Sequence, residues 1–212
     1  MVGPKFTLSA AVPLSPYKSD VSGYAELLDY IVIMNYDVWG SWSPAVAANA
    51  PLNDTCAAPA KQQGSAVSSV NAWKKAGFPV GKMVLGVPTY GHSYSVSPAD
   101  AFVNGATQLA AYPPFNSSNQ PQGDSWDSRG GIDICGKNAG PGGTWNMRNL
   151  VQGGWLNNNG LPVDGISYRY DPCSQTVSIL TNLLSQYAVY STHLETILAL
   201  HLQQEFSNHD LV

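Results

Sequence analysis

Tyr36, Asp37, Trp39 and Trp42 fall in one short stretch, directly after the apolar run Ile31-Val32-Ile33-Met34. A phenol and a carboxylate side by side offer one hydrogen-bond donor and one strong acceptor, and two indoles follow them. Indole faces lie well against the C–H face of a pyranose, while hydroxyl and carboxylate tips bond its hydroxyls, so the stretch suits a sugar. Read alone, the Tyr-Asp pair fits a simple cap on a core strand better than it fits a site.

The element that must position these groups is a strand. Residues 30–36 are β-branched or bulky, and alternation puts Val32, Met34 and Tyr36 on one face with Ile31, Ile33 and Asn35 on the other. Both faces are mostly apolar, as in a parallel strand covered on both sides. The polar chemistry begins where the strand ends, the edge at which α/β barrels build their sites.

Composition narrows the ligand class. Only 11% of the 212 residues are charged and the net charge is −4, which argues against nucleic acid as a partner. With 6 Trp and 11 Tyr the chain leans towards an uncharged polar ligand. No segment is apolar for long enough to span a membrane. Lys5 and the apolar residues 6–12 imitate a secretory leader, but the run reads better as a strand. Cys56, Cys135 and Cys173 are an odd set, so at least one lacks a partner within the chain. The sequons Asn53-Asp54-Thr55 and Asn116-Ser117-Ser118, with the cysteines and low charge, tilt towards secretion.

In chain order, residues 6–12 predict a strand and Ser19-Asp20 opens a brief helix through Tyr24, Leu27 and Leu28. Residues 43–63 read as loop from Pro44, Pro51 and Pro59. Ser65–Lys75 predicts a helix with Val67, Val70 and Trp73 on one side, stopped by Gly77 and Pro79. Residues 95–172 are crowded with Gly, Pro, Asn and Ser, with exposed-strand patterns such as 165–170. Beyond 177, Leu180, Leu183, Leu184 and Tyr187, then Leu194, Ile197, Leu198 and Leu202, recur at helical spacing and predict a helix or helix pair.

Met34-Asn35-Tyr36-Asp37, with Gly40-Ser41-Trp42 after it, resembles the M-x-Y-D motif of glycoside hydrolase family 18 chitinases. Pro88-Thr89-Tyr90-Gly91 resembles the family's P-x-Y-G signature. Residues 6–12, 30–36 and 82–94 are similar to its fifth, sixth and seventh barrel strands, the last with the loop that follows. Tyr112-Pro113-Pro114-Phe115, Gly130–Cys135 and Tyr170–Thr176 look most like the fungal branch. The resemblance covers roughly residues 5–176.

It implies an α/β fold: an incomplete TIM (β/α)8 barrel over 1–94, a small α+β insertion domain over 95–172, and a helical tail over 173–212 in place of an eighth strand. The resemblance makes Cys135 and Cys173 candidates to pair, which leaves Cys56 to a partner elsewhere. By resemblance Tyr36 bonds the acetamido group of N-acetylglucosamine and Asp37 supports it, the two expected catalytic-support residues. Met34 packs the pocket floor, Trp42 stacks on the leaving-group side, Tyr90 lines the groove, and Trp39 is a further binding candidate. His92 stands where many members carry Arg, and is expected to be a hydrogen-bonding loop residue.

The implied ligand is chitin or its oligomers, bound by a monomer without metal or cofactor, and extracellular in the full-length family member. The family's catalytic D-x-x-D-x-D-x-E belongs on the fourth strand, expected before residue 1. Glu26, Glu195 and Glu205 are the only glutamates, and none follows such aspartates. The expectation is therefore a chitinase-like fragment with no useful hydrolysis of its own. The alternatives are a non-catalytic, lectin-like chitin binder and an unstable truncated product.

Overall fold

A computed structural model describes residues 6–181 and the strand at 186–191. Two sheets carry the architecture. The first is parallel, in the order β1 (Ser9–Val12), β2 (Tyr30–Ile33), β3 (Met83–Leu85). Helix α1 (Ser22–Leu27) joins β1 to β2, and α2 (Ala66–Lys75) precedes β3. Ile31 and Ile33 sink into a core with Val12, Val21, Trp73, Ala76 and Phe78. Trp73 meets Phe78 edge-on at 6.1 Å and donates its indole N–H to the Pro13 carbonyl at 3.0 Å, so its polar edge is satisfied.

The predicted alternation holds. Ile31, Ile33 and Asn35 are buried, whereas Val32, Met34 and Tyr36 are half-buried. The strands are shorter than predicted, because the paired register ends at Ile33; beyond it the Met34 N–H bonds the Val12 carbonyl and the Gly86 N–H bonds the Ile33 carbonyl. Helix α2 begins where expected. Ser65 is its N-cap in a reciprocal capping box with Ser68, which satisfies N–H groups that the first turn leaves open.

The second sheet is antiparallel, in the order β7 (Thr144–Asn146), β4 (Tyr90–Ser95), β10 (Gln186–Ser191), β9 (Thr176–Thr181), β8 (Ser167–Asp171). Short α3 (Pro98–Ala101), the ribbon β5 (Gly131–Ile132) with β6 (Asn138–Ala139), and α4 (Met147–Gln152) complete the order. The boundaries expected at 94/95 and 172/173 therefore cut through β4 and separate β8 from its hairpin partner β9.

The expected helix from residue 177 is overturned over 177–181 and 186–191, which are strands. Val177, Ile179 and Thr181 alternate inward on β9, and Val177 and Ile179 pack with Leu150 and Leu156. Period-2 burial with a strand on each side outweighs the helical spacing of a few leucines. Leu183, Leu184 and everything from 192 onward lie outside the described residues. Among the described residues no helix is long and apolar enough to cross a membrane.

The disulfide also differs from expectation: Cys56 pairs with Cys173, and Cys135 is free and exposed. Cys135 sits at the tip of the β5–β6 ribbon, its N–H held by the Asp133 carboxylate. Cys173 lies in the β8–β9 turn, which packs on the 43–63 segment through Leu52 N–H to the Ser174 carbonyl at 2.9 Å. That segment is irregular as predicted, yet Ala45, Val46, Ala47, Asn49, Ala50 and Leu52 within it are all buried.

Candidate functional site

The end of β2 and the start of β4 meet at one carboxylate. Asp37 turns the chain after the strand with φ +56°, a left-handed conformation that Asp tolerates better than most non-glycine residues. Its Oδ1 accepts from the Tyr90 hydroxyl at 2.7 Å and lies 2.9 Å from His92 Nε2. Tyr90 and His92 are two apart on β4, so their side chains share a face. His92 is thus on a strand, not in a loop, and it is buried beside the carboxylate.

Aromatic rings frame this cluster. Tyr36 meets Tyr90 edge-on at 6.4 Å, Tyr90 meets His92 at 5.7 Å, and Trp42 meets His92 at 5.8 Å. Trp42 is 65% exposed, so its indole offers an open face. It lies over Gly40, where a Cβ would fall inside its ring. Tyr36 likewise rests on Gly86, where a Cβ would come within 3.0 Å of the Tyr36 ring and 2.9 Å of the Ile33 carbonyl. Glycine at these two positions lets the rings pack onto backbone.

The hydrogen bond from His92 holds the Asp37 carboxyl below the usual carboxylate range; partial burial opposes this and the Tyr90 hydroxyl adds to it. Burial, and then the Asp37 carboxylate, push the Tyr90 phenol up, so it stays a donor at any physiological pH. A carboxyl whose pKa is depressed on folding stabilises above its unfolded value of about 3.9, and that stability is lost as pH falls through the native value. The wild-type chain is therefore expected to lose its thermal-stability advantage over Asp37→Asn as pH is lowered from about 5 to below 3. Melting curves of both proteins over that range check it, and a constant gap would contradict it.

Of the residues expected at the site, Tyr36, Asp37, Trp42 and Tyr90 come together. Met34 is half-buried on the strand face of Tyr36. Trp39 is the exception. It is only 4% exposed, with its ring 6.1 Å from Tyr112 and the Lys61 ammonium 5.6 Å above it. It lines a small internal cavity with Cys56, Asp54 and Asp171. The turn at Gly40–Ser43 separates the two tryptophans, leaving Trp42 in solvent and Trp39 packed inside.

Sequence reading missed three participants. Asn49 is fully buried and bonds both the Asp37 N–H and the Tyr90 carbonyl. Trp126, 84% exposed, borders an open cleft of about 420 Å³ with Thr89, Asn146, Arg148 and Asn149. Beneath it Asp124 is buried. Burial disfavours its charge, but the backbone N–H of Asn146, the Asn149 amide, the Trp126 N–H and the Asn146 amide together hold its carboxyl below the ordinary range. Single polar residues in irregular segments carry no periodic signal, which is why none of the three stood out. Among the described residues, no cluster of His, Cys, Asp or Glu is placed to hold a metal.

Comparison with known proteins gives the family and the fold. The sequence pattern of glycosyl hydrolases family 18 matches residues 2–178. A chitinase-like effector of Moniliophthora roreri is 52% identical over 177 residues, covering 80% of this chain and 43% of that protein. A chitinase from Rhizomucor miehei superposes with a TM-score of 0.75 at 29% identity, over 90% of this chain and 51% of its own. A class V chitinase from Nicotiana tobaccum, solved in complex with NAG4, has a TM-score of 0.56 at 24% identity over 87% and 44% of the two chains, a likeness of fold. The chain spans about half or less of the length of these relatives, and its α/β fold is that of chitinases.

Proposed function

The chain belongs to glycosyl hydrolases family 18, and from that premise we propose that it is a chitin-oligosaccharide-binding part of a chitinase-like protein, unable to hydrolyse the glycosidic bond by itself. The observation that carries this reading is the Asp37 carboxylate, bonded to Tyr90 and His92 and left open beside the exposed Trp42 ring. An N-acetylglucosamine unit stacks on Trp42, and its amide and hydroxyl groups bond Tyr36, Asp37 and Tyr90. The Trp126 cleft, one residue from Tyr90 through Thr89, extends the groove to a further sugar.

In a complete family 18 domain the mechanism is substrate-assisted. The acetamido carbonyl oxygen attacks the anomeric carbon as the glycosidic bond breaks, and a carboxylic acid gives its proton to the leaving oxygen. Tyr36 and Asp37 hold the acetamido group for that attack. Within these 212 residues no glutamate follows the family's spaced aspartates, and a general acid is typically worth about 10²–10⁴-fold. The half-barrel reading accounts for this. The segment after β2 and the start of β4 supply the binding residues, and the acidic signature belongs to strands other than β1–β3. The Cys56–Cys173 disulfide favours an oxidising, extracellular setting.

The test is retention on chitin beads and calorimetry with the N-acetylglucosamine tetramer. Wild-type chain is expected to bind, and Trp42→Ala to weaken binding about tenfold through loss of the stacking face. Incubation with the tetramer should release no shorter sugars. Absence of binding would remove the reading, and turnover at the rate of intact chitinases would remove its non-catalytic half.

A further inference from the structure

We propose that Asn49 is a positioning residue, whose single carboxamide ties the end of β2 to the start of β4 and so holds Asp37 at the Tyr90 hydroxyl. The two strands belong to different sheets, so no strand pairing fixes their relation. Asn49 does it from the buried 43–63 segment. Its Oδ1 accepts from the Asp37 N–H at 2.8 Å, and its Nδ2 donates to the Tyr90 carbonyl at 3.1 Å. Its own carbonyl accepts from the Val38 N–H at 3.0 Å.

The orientation of the amide follows from its partners. An N–H only donates and a carbonyl only accepts, so oxygen must face Asp37 and nitrogen must face Tyr90. No other side chain of this length offers both on one rigid plane. Aspartate lacks the donor and would aim a second carboxylate at the Tyr90 carbonyl; serine is too short to span the two groups. The bond also falls on a residue in a left-handed turn, where the backbone would otherwise relax. Asn49 touches no ligand group itself. It acts through Asp37.

The inference rests on the sugar-binding reading for its affinity readout, and not for its second readout. The full 212-residue chain is compared with Asp37→Asn, Asn49→Ala and the double variant for binding of the N-acetylglucosamine tetramer. Asn49→Ala alone is expected to weaken binding about tenfold, and less than about twofold when Asp37 is already Asn. Equal losses in both backgrounds would overturn the proposal. Independently, the Asp37 carboxyl is titrated by carbon-13 NMR. Asn49→Ala should move its midpoint up towards the ordinary carboxylate value; an unmoved midpoint overturns the proposal.

Ser69→Ala, which removes a buried bond to the Leu14 carbonyl far along the chain from the site, is the control and should leave that midpoint in place. An equal shift there would mean general loosening and would also overturn it. If Asn49→Ala does not fold, Asn49→Ser is read by the same titration with the same expected direction. A chain that binds no tetramer, yet shows the Asn49-dependent shift, would refute the functional reading and leave the positioning role standing.

Discussion

Replacing Asp37 with Asn should weaken binding of N-acetylglucosamine oligomers by roughly 10–100-fold, since a hydrogen bond to a charged group contributes about 1.5–3 kcal/mol. The substitution is chosen for its backbone. Asp37 sits at φ +56°, and Asn occupies that region as readily as Asp, so the turn after β2 is preserved. What changes is the charge that orders the cluster. The Tyr90 hydroxyl and His92 Nε2 both point at one oxygen of the carboxylate, and a neutral amide oxygen holds them less strongly.

Asp37→Gly separates the two contributions further. It relieves the left-handed strain and removes the acceptor altogether, so it should bind at least as poorly as Asp37→Asn, with the relief of strain offsetting part of the stability lost with the carboxylate. Calorimetry with the tetramer, alongside thermal melts, reads both quantities. Affinity within about twofold of wild type in Asp37→Asn would show that the carboxylate does not act on the sugar.

The second large effect is on stability. Converting Cys56 and Cys173 to Ser opens a closure of 117 residues in sequence, and the chain-entropy account assigns about 4.7 kcal/mol to a loop of about 100 residues, against typical measured values of about 2–4. For a chain of this size each kcal/mol moves the midpoint by about 2–4 °C, so typical values of about 2–4 kcal/mol should lower melting by roughly 4–16 °C. The bond ties the β8–β9 turn to the segment that carries Asn49, so sugar affinity should fall with it. Cys135→Ser should do neither, because that thiol is exposed and unpaired. Peptide mapping without reduction should find Cys56 joined to Cys173. A change in midpoint below about 2 °C would argue against that pairing.

How far the sequence carried this picture differs from element to element. The strand ending in Met34-Asn35-Tyr36-Asp37 was legible because its two faces alternate in apolar side chains and its polar tip is abrupt. Helix α2 was legible from its Val67, Val70 and Trp73 stripe and from the Gly77 and Pro79 that stop it, signals that act within a few residues. The runs at 177–181 and 186–191 were misread. Over so short a window leucines at helical spacing and β-branched residues at alternate positions coexist, and the flanking strands decide between them. The cysteine pairing was misjudged for a related reason, since proximity in sequence says nothing of which turns pack together.

The residues alone determined the chemistry available: a tyrosine and a carboxylate at a strand end, an indole beyond them, a second tyrosine at position 90, and the order of motifs that places the chain in its family. Those are local properties, written in side-chain type and spacing. Only the tertiary structure decided that Asp37 bonds Tyr90 and His92, that Trp42 is exposed while Trp39 is packed away, and that Asn49 joins the two strands. Such contacts bring together groups far apart in the chain, and their energies come from burial and geometry that no single segment contains.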